Sequence, residues 1–129
     1  MALSLGQISL FVDDYDTALA YYCEILGFYL VCDELLPSKR WVVVSPAQHG
    51  SCQLLLVKAN AEQQALIGGQ GGGKVWLFLH TDDFATDYQR MLAKGVHFLE
   101  QPRHEPYGSV VVFADCYGNR WDLIQRKNC

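Results

Sequence analysis

The fold is decided by one stretch of sequence that occurs twice, as QISLFVDDY at residues 7–15 and as WLFLHTDDF at residues 76–84. The two copies align without a gap, and the second begins 69 residues after the first, at 76 against 7. Each copy runs from apolar residues through an Asp-Asp-aromatic turn into a segment that ends at glycine, Gly27 and Gly95 respectively. An internal repeat of this kind predicts two copies of one strand-turn-helix module.

The length and composition of the chain limit what the two modules can be. With 129 residues, the chain is long enough for one compact domain and too short for two, so we expect a single domain over 1–129. Half of the residues are hydrophobic and the net charge is −4, which disfavours nucleic acid and membrane lipid as partners. A small neutral or apolar molecule is the predicted partner.

The start of the chain and the cysteines both favour a cytoplasmic protein. The apolar stretch at 3–12 lacks a basic leader and is interrupted by Asp13 and Asp14, so we predict a strand instead of a signal peptide or membrane span. The five cysteines show no CxxC pair and no zinc-finger spacing. We therefore expect reduced thiols.

Turn and capping residues divide the chain into two modules of the same order. Module one spans about 5–58, with a helix capped by Asp14 and later strands at 28–32, 40–45 and 51–57. A glycine-rich connector is predicted at about 59–73. Module two spans about 74–126, with a helix capped by Asp83 and later strands at 96–99, 109–114 and 119–125. The predicted fold class is α+β, with two βαβββ modules that form a curved mixed sheet, helices outside and a concave face within.

The sequence resembles the glyoxalase/bleomycin-resistance/extradiol-dioxygenase family, also called the vicinal oxygen chelate superfamily. The likeness lies in the order of the elements and in LGF at 26–28, EPYG at 105–108 and DCYGN at 115–119, and it covers about residues 5–125. The resemblance implies the fold just described and, since the family often pairs modules across chains, a homodimer. It leaves the activity open, because isomerases, lyases, dioxygenases, epimerases and drug-binding proteins share this scaffold.

The resemblance also assigns four positions where metal-dependent members carry their ligands, on the first and last strand of each module. In this chain they are Gln7, Leu54, Trp76 and Asp122. Gln53 is adjacent to Leu54 and is expected to face the other side of its strand. Two oxygen donors, one of them neutral, hold a divalent cation poorly, and an indole N–H cannot ligate. We therefore predict no metal ion and no other cofactor.

Strand alternation adds neighbours to these positions. It brings Ser9 and Phe11 to the face of Gln7, and it brings Phe78 and His80 to the face of Trp76. The loop before the seventh strand offers Tyr107 as a cover and Arg103 as a contact for an anionic ligand. The predicted ligand-binding residues are Gln7, Ser9, Phe11, Leu54, Trp76, Phe78 and Tyr107.

Three functions fit this set of residues. The leading hypothesis is a metal-free protein of the glyoxalase/bleomycin-resistance type that binds an aromatic or apolar molecule in the concave sheet. The enzyme alternative is a lyase or isomerase, with acid-base chemistry by His80 and Asp122 or with a divalent cation held by Gln7 and Asp122. The third is a structural protein whose cavity is filled by Trp76 and Phe78.

Overall fold

The structure, a computed structural model that describes residues 2–127, contains two hydrogen-bonded sheets. The chain divides into two compact units, one ending at Ile67 and the other beginning at Gly68. Each unit has its own sheet and its own principal helix. The predicted α+β class and the repeated module are confirmed, with one hydrogen-bonded sheet in each unit.

The first unit holds four strands. Its elements are β1 (Gln7–Val12), α1 (Tyr15–Leu19), a π-helical continuation at Ala20–Ile25, β2 (Tyr29–Leu35), β3 (Arg40–Ser45), β4 (Gln53–Lys58) and a short 3-10 helix at Gln64–Leu66. The strand order is β1-β4-β3-β2. The pair β1 and β4 is parallel, whereas the other neighbours are antiparallel.

The second unit repeats this order of elements, except that the edge strand of its sheet, which corresponds to β2, is divided into two pieces. Its elements are β5 (Val75–His80), α2 (Phe84–Ala93), β6 (His97–Phe98), β7 (Arg103–Glu105), β8 (Gly108–Ala114) and β9 (Arg120–Arg126). The strand order is β5-β9-β8-β6, and β7 also pairs with β8. The segment that begins at Arg103 was expected to be a loop, but its first three residues form a strand on β8.

Both helices begin at the predicted aspartates. Asp14 Oδ2 accepts a 2.8 Å hydrogen bond from the backbone N–H of Thr17, and Asp83 Oδ1 accepts one of 3.3 Å from Thr86. These bonds satisfy N–H groups that have no partner within the helix. Hydrogen bonding to Thr17 also lowers the pKa of the Asp14 carboxyl. The predicted caps are confirmed.

The glycine tract at 68–73 is folded into turns that belong to the second unit. The N–H of Gly72 donates to the carbonyl of Gly69 at 3.0 Å, and Lys74 donates to Gly71 at 3.2 Å. A Cβ on Gly71 would lie 2.6 Å from the Cβ of Trp76, and one on Gly68 would collide with the backbone carbonyl of Tyr117. Glycine is therefore required at Gly68 and Gly71, because the backbone packs closely at these two points.

Each sheet buries one face against its own helix. In the first unit the buried positions alternate along β1 and β4, with Leu10, Val12 and Leu56 nearly inaccessible, whereas β3 is buried at every position from Val42 to Ser45. In the second unit an aromatic chain connects α2 to the sheet, from Tyr88 to Phe98 at 4.7 Å and from Phe113 to Trp121 at 5.9 Å between ring centroids. The opposite face of each sheet is therefore the one available to a ligand.

Four of the five cysteines lie within the described residues, and no two of these four are joined in a disulfide. Burial raises the pKa of the Cys23 thiol, which lowers its reactivity. Cys129 lies outside the described residues.

Candidate ligand-binding faces of the two sheets

On the first sheet, Gln7, Ser9 and Phe11 lie on one face of β1, opposite the buried Leu10 and Val12. The parallel register sets their partners on β4, which are Gln53, Leu55 and Val57. Cross-strand partners point to the same side of a sheet. This face therefore has a polar end at Gln7 and Gln53 and an apolar end at Phe11 and Val57.

The prediction that Leu54 shares the face of Gln7 is wrong. Leu54 is only 4% exposed, pairs with Ile8, and lies on the helix side of the sheet. The position beside Gln7 belongs to Gln53. The predicted position was displaced by one residue along β4, and a one-residue displacement moves a side chain to the other face of the sheet. The sequence offered only a weak signal for Gln53, namely a polar residue at the start of an apolar run.

On the second sheet, Phe78 and Asp122 are cross-strand partners, and His80 pairs with Ile124 one row further along. These residues alternate with Trp121 and Leu123, which are buried on the helix side. Phe78 is 58% exposed and His80 is exposed. Phe78, Asp122 and His80 therefore lie on the face opposite α2.

The prediction that Trp76 faces the ligand depended on regular alternation of side chains along β5, and this alternation is interrupted at Trp76. The register passes from Val75 with Arg120 directly to Leu77 with Trp121, so Trp76 is the extra residue of a β-bulge. A bulge redirects the side chains beside it. The half-buried Trp76 packs instead against the backbone at Gly71.

Asp122 is the polar centre of the second face. The residue is half-buried, and its Oδ1 is inaccessible to solvent and has no hydrogen-bond partner among residues 2–127. Burial raises the pKa of the carboxyl, Arg103 opposes this shift, and Glu100 adds to it. An unsatisfied carboxylate oxygen beside an aromatic ring disfavours the charged form.

Arg103 is held by carboxylates of its own chain. Its Nε donates to both oxygens of Glu100 at 3.1 and 3.2 Å, and its guanidinium lies 3.6 Å from Glu105. Hydrogen bonding to Glu100 raises the pKa of Arg103, and the side chain of Tyr107 contributes in the same direction. These partners reduce the charge that Arg103 could offer an anionic ligand.

Glu100 also explains why the edge strand of the second sheet is divided into β6 and β7. Its Oε2 accepts a 3.0 Å hydrogen bond from the backbone N–H of Val112 in β8. In the gap between β6 and β7, a side-chain carboxylate thus accepts a hydrogen bond from a backbone N–H of β8. Tyr107 follows β7 in a tight turn and is 44% exposed.

A family model described as the Glyoxalase/Bleomycin resistance protein/Dioxygenase superfamily matches residues 4–123. The chain belongs to this superfamily. It is 48% identical over 128 residues to an uncharacterized protein of Shewanella frigidimarina (strain NCIMB 400), covering 97% of this chain and 95% of that protein. The predicted family is therefore confirmed.

Two solved structures extend the likeness to the fold. UcmS2 is 30% identical with a TM-score of 0.82, and the match covers 96% of this chain and 98% of that one. TnmS3, an antibiotic binding protein from Streptomyces sp. CB03234, is also 30% identical, with a TM-score of 0.78 and coverage of 98% and 99%.

Within residues 2–127, the structure has no helix long and apolar enough to cross a membrane.

The residues at the family's metal positions do not fit a divalent cation. In the first unit the two side chains are the neutral carboxamides of Gln7 and Gln53, and in the second they are Asp122 and the bulged Trp76. Across the described part of the chain, no three His, Cys, Asp or Glu residues are grouped in a way that could hold a metal ion. Divalent catalytic ions usually take three ligands that include histidine or several carboxylates. A single carboxylate with neutral amides is a weak set of donors.

Proposed function

We propose that this protein binds a small molecule with an aromatic or apolar body, without a metal ion, and that the open face of the second sheet supplies the principal contact. The observation that carries the proposal is the ring of Phe78, 58% exposed and in register with Asp122. Covering the exposed part of such a ring with a ligand is worth about 1–2 kcal/mol. Asp122 supplies a polar point beside it that can orient the ligand.

The likeness to an antibiotic binding protein, at 30% identity over nearly the full length of both chains, supports small-molecule binding as the function class. On the first sheet, Gln7, Ser9 and Phe11 remain proposed contacts, and Gln53 replaces Leu54 among them. In the second unit, Trp76 and Tyr107 remain proposed contacts at the margins of the Phe78 face. The homodimer and the cytoplasmic location stay predictions.

Calorimetric titration with 1-methylnaphthalene, 1-naphthol and 1-naphthoate tests the proposal. We expect at least one of them to bind, and Phe78→Ala to weaken that binding about 5- to 30-fold. Leu92→Ala is the matched control, because Leu92 is an apolar residue that is 46% exposed on α2. The proposal fails if none of the three compounds binds, or if both variants weaken binding equally.

An acid-base lyase or isomerase is the second candidate, and Asp122 is the observation that favours it. Burial raises the pKa of this carboxyl, and a raised carboxyl pKa is common among catalytic acids. His80 lies on the same face, one row along the sheet from Asp122. With any substrate that is found, His80→Ala and Asp122→Asn should each reduce kcat. Unchanged turnover in His80→Ala would exclude this pairing.

A metal-dependent version is tested by the metal content of protein purified without chelator. Near-stoichiometric Ni, Zn, Mn or Fe that is lost in Asp122→Ala would overturn the metal-free proposal. The third hypothesis, a structural protein with a filled cavity, requires Phe78 to be packed inside. The exposure of Phe78 argues against it.

A further inference from the structure

Two pockets adjoin at one end of the first sheet, and the proposed site on the second sheet uses neither. The larger, of about 540 Å³, is lined by residues 4–7 and 50–53. The smaller, of about 270 Å³, is lined by residues 29–31, Gln48, His49 and Gln53. Gln53 lines both pockets, so a ligand seated in one of them can reach into the other.

The linings of both pockets combine carboxamides with exposed apolar side chains. Gln7, Gln48 and Gln53 each offer a carbonyl acceptor and an N–H donor. Leu5 is 71% exposed and Tyr29 is 47% exposed, so both present apolar surface to a ligand. Among the described residues, those that line the two pockets include no Asp, Glu, Lys or Arg, and the basic side chain there is His49.

The register of the sheet places two of these carboxamides side by side. Gln7 and Gln53 are partners on the parallel strands β1 and β4, and they lie on the same face. Neighbouring strands are about 4.8 Å apart, so the two amide groups can meet adjacent atoms of one ligand. An edge that alternates carbonyl and N–H groups complements such a pair.

The absence of charged side chains from the linings decides the charge of the ligand. An ionic ligand would lose hydration on entry and would meet no Asp, Glu, Lys or Arg side chain in the lining to compensate for that loss. A neutral ligand with an amide-type edge can exchange its water hydrogen bonds for those of the carboxamides.

We propose that these adjoining pockets bind an uncharged planar molecule through a lactam, imide or carboxamide edge held by Gln7 and Gln53. The apolar body of the ligand lies against Leu5 on one side and the ring of Tyr29 on the other. This inference rests on the small-molecule binding proposed above, in which Gln7 and Gln53 are contacts on the first sheet, and it does not require Phe78.

The fluorescent probe 1,8-naphthalimide tests the proposal, because its imide edge presents an N–H between two carbonyls on a planar body. We expect wild-type protein to bind it about tenfold more tightly than N-methyl-1,8-naphthalimide, which lacks the donor, and to exclude the 1,8-naphthalate dianion. Gln53→Leu should weaken naphthalimide binding about tenfold and leave the N-methyl compound within twofold. Retained binding of the N-methyl compound shows that the variant is folded, and Gln7→Leu provides a second variant.

Gln89→Leu is the matched control, since Gln89 is an exposed residue on α2 and its replacement should change nothing. Equal binding of the imide and its N-methyl derivative, or no binding of either, overturns the proposal. Naphthalimide binding that is lost in Phe78→Ala but kept in Gln53→Leu also overturns it, and that result would support the site on the second sheet. Loss in Gln53→Leu alone supports the pockets of the first sheet.

Discussion

Replacing Leu54 with alanine tests the corrected face assignment on the first sheet. Leu54 is 4% exposed, on the helix side of β4. The substitution removes three carbon groups, worth about 2.4 kcal/mol of transfer free energy, and the cavity left behind brings the loss to about 3 kcal/mol. For a chain of 129 residues, the unfolding entropy is about 0.27 kcal/mol per kelvin, so Tm should fall by about 10 °C.

The neighbouring Leu55 is the matched control, because it has the same side chain on the opposite, open face. Leu55 is only half-buried and pairs with the exposed Ser9, so Leu55→Ala should cost about 1 kcal/mol. Thermal unfolding followed by circular dichroism, with urea titration to confirm an unchanged m-value, measures both variants. A loss in Leu55→Ala equal to or larger than that in Leu54→Ala would refute the assignment and return Leu54 to the ligand face.

Two further predictions concern carboxylates of the second unit. Glu100→Ala should lower the free energy of unfolding by about 2 kcal/mol, because it removes a charged acceptor from the N–H of Val112. Glu100→Gln keeps an acceptor and should lose less stability. Urea denaturation measures both variants, and unchanged stability of Glu100→Ala would contradict a stabilising role for this hydrogen bond. Burial raises the pKa of Asp122 in the folded state above its unfolded value, so this carboxyl destabilises the fold above the folded pKa, and the penalty disappears as pH falls below the unfolded value. Asp122→Asn should therefore raise Tm at pH 7 and give little gain near pH 3, and lower stability of the variant at pH 7 would contradict the shift.

Features that depend on a few neighbouring residues could be predicted from the sequence. The caps at Asp14 and Asp83 were found because a side chain bonds a backbone N–H three residues away, which needs no tertiary context. The β3 strand was predicted at 40–45 and is observed at Arg40–Ser45. The family was recognisable for the same reason, since its order of elements and its turns depend on residues that are close together in the sequence.

The candidate site was less predictable because it depends on which face of a strand meets the helix. Both alternating sets of β4 are largely apolar, so its sequence does not show whether Leu54 or Leu55 lies in the core. The bulge at Trp76 is fixed by its pairing with β9 and by contact with the glycine tract, which follow from long-range packing.

By itself the sequence determined the duplicated module, its helix boundaries and its superfamily, because caps, turns and alternation act over a few residues. Only the tertiary structure decided that Gln53 stands beside Gln7, and that a bulge at Trp76 interrupts the strand on which Phe78 pairs with Asp122. The physical reason is strand register, which is set by hydrogen bonds between distant segments and reverses every side chain when it moves by one residue.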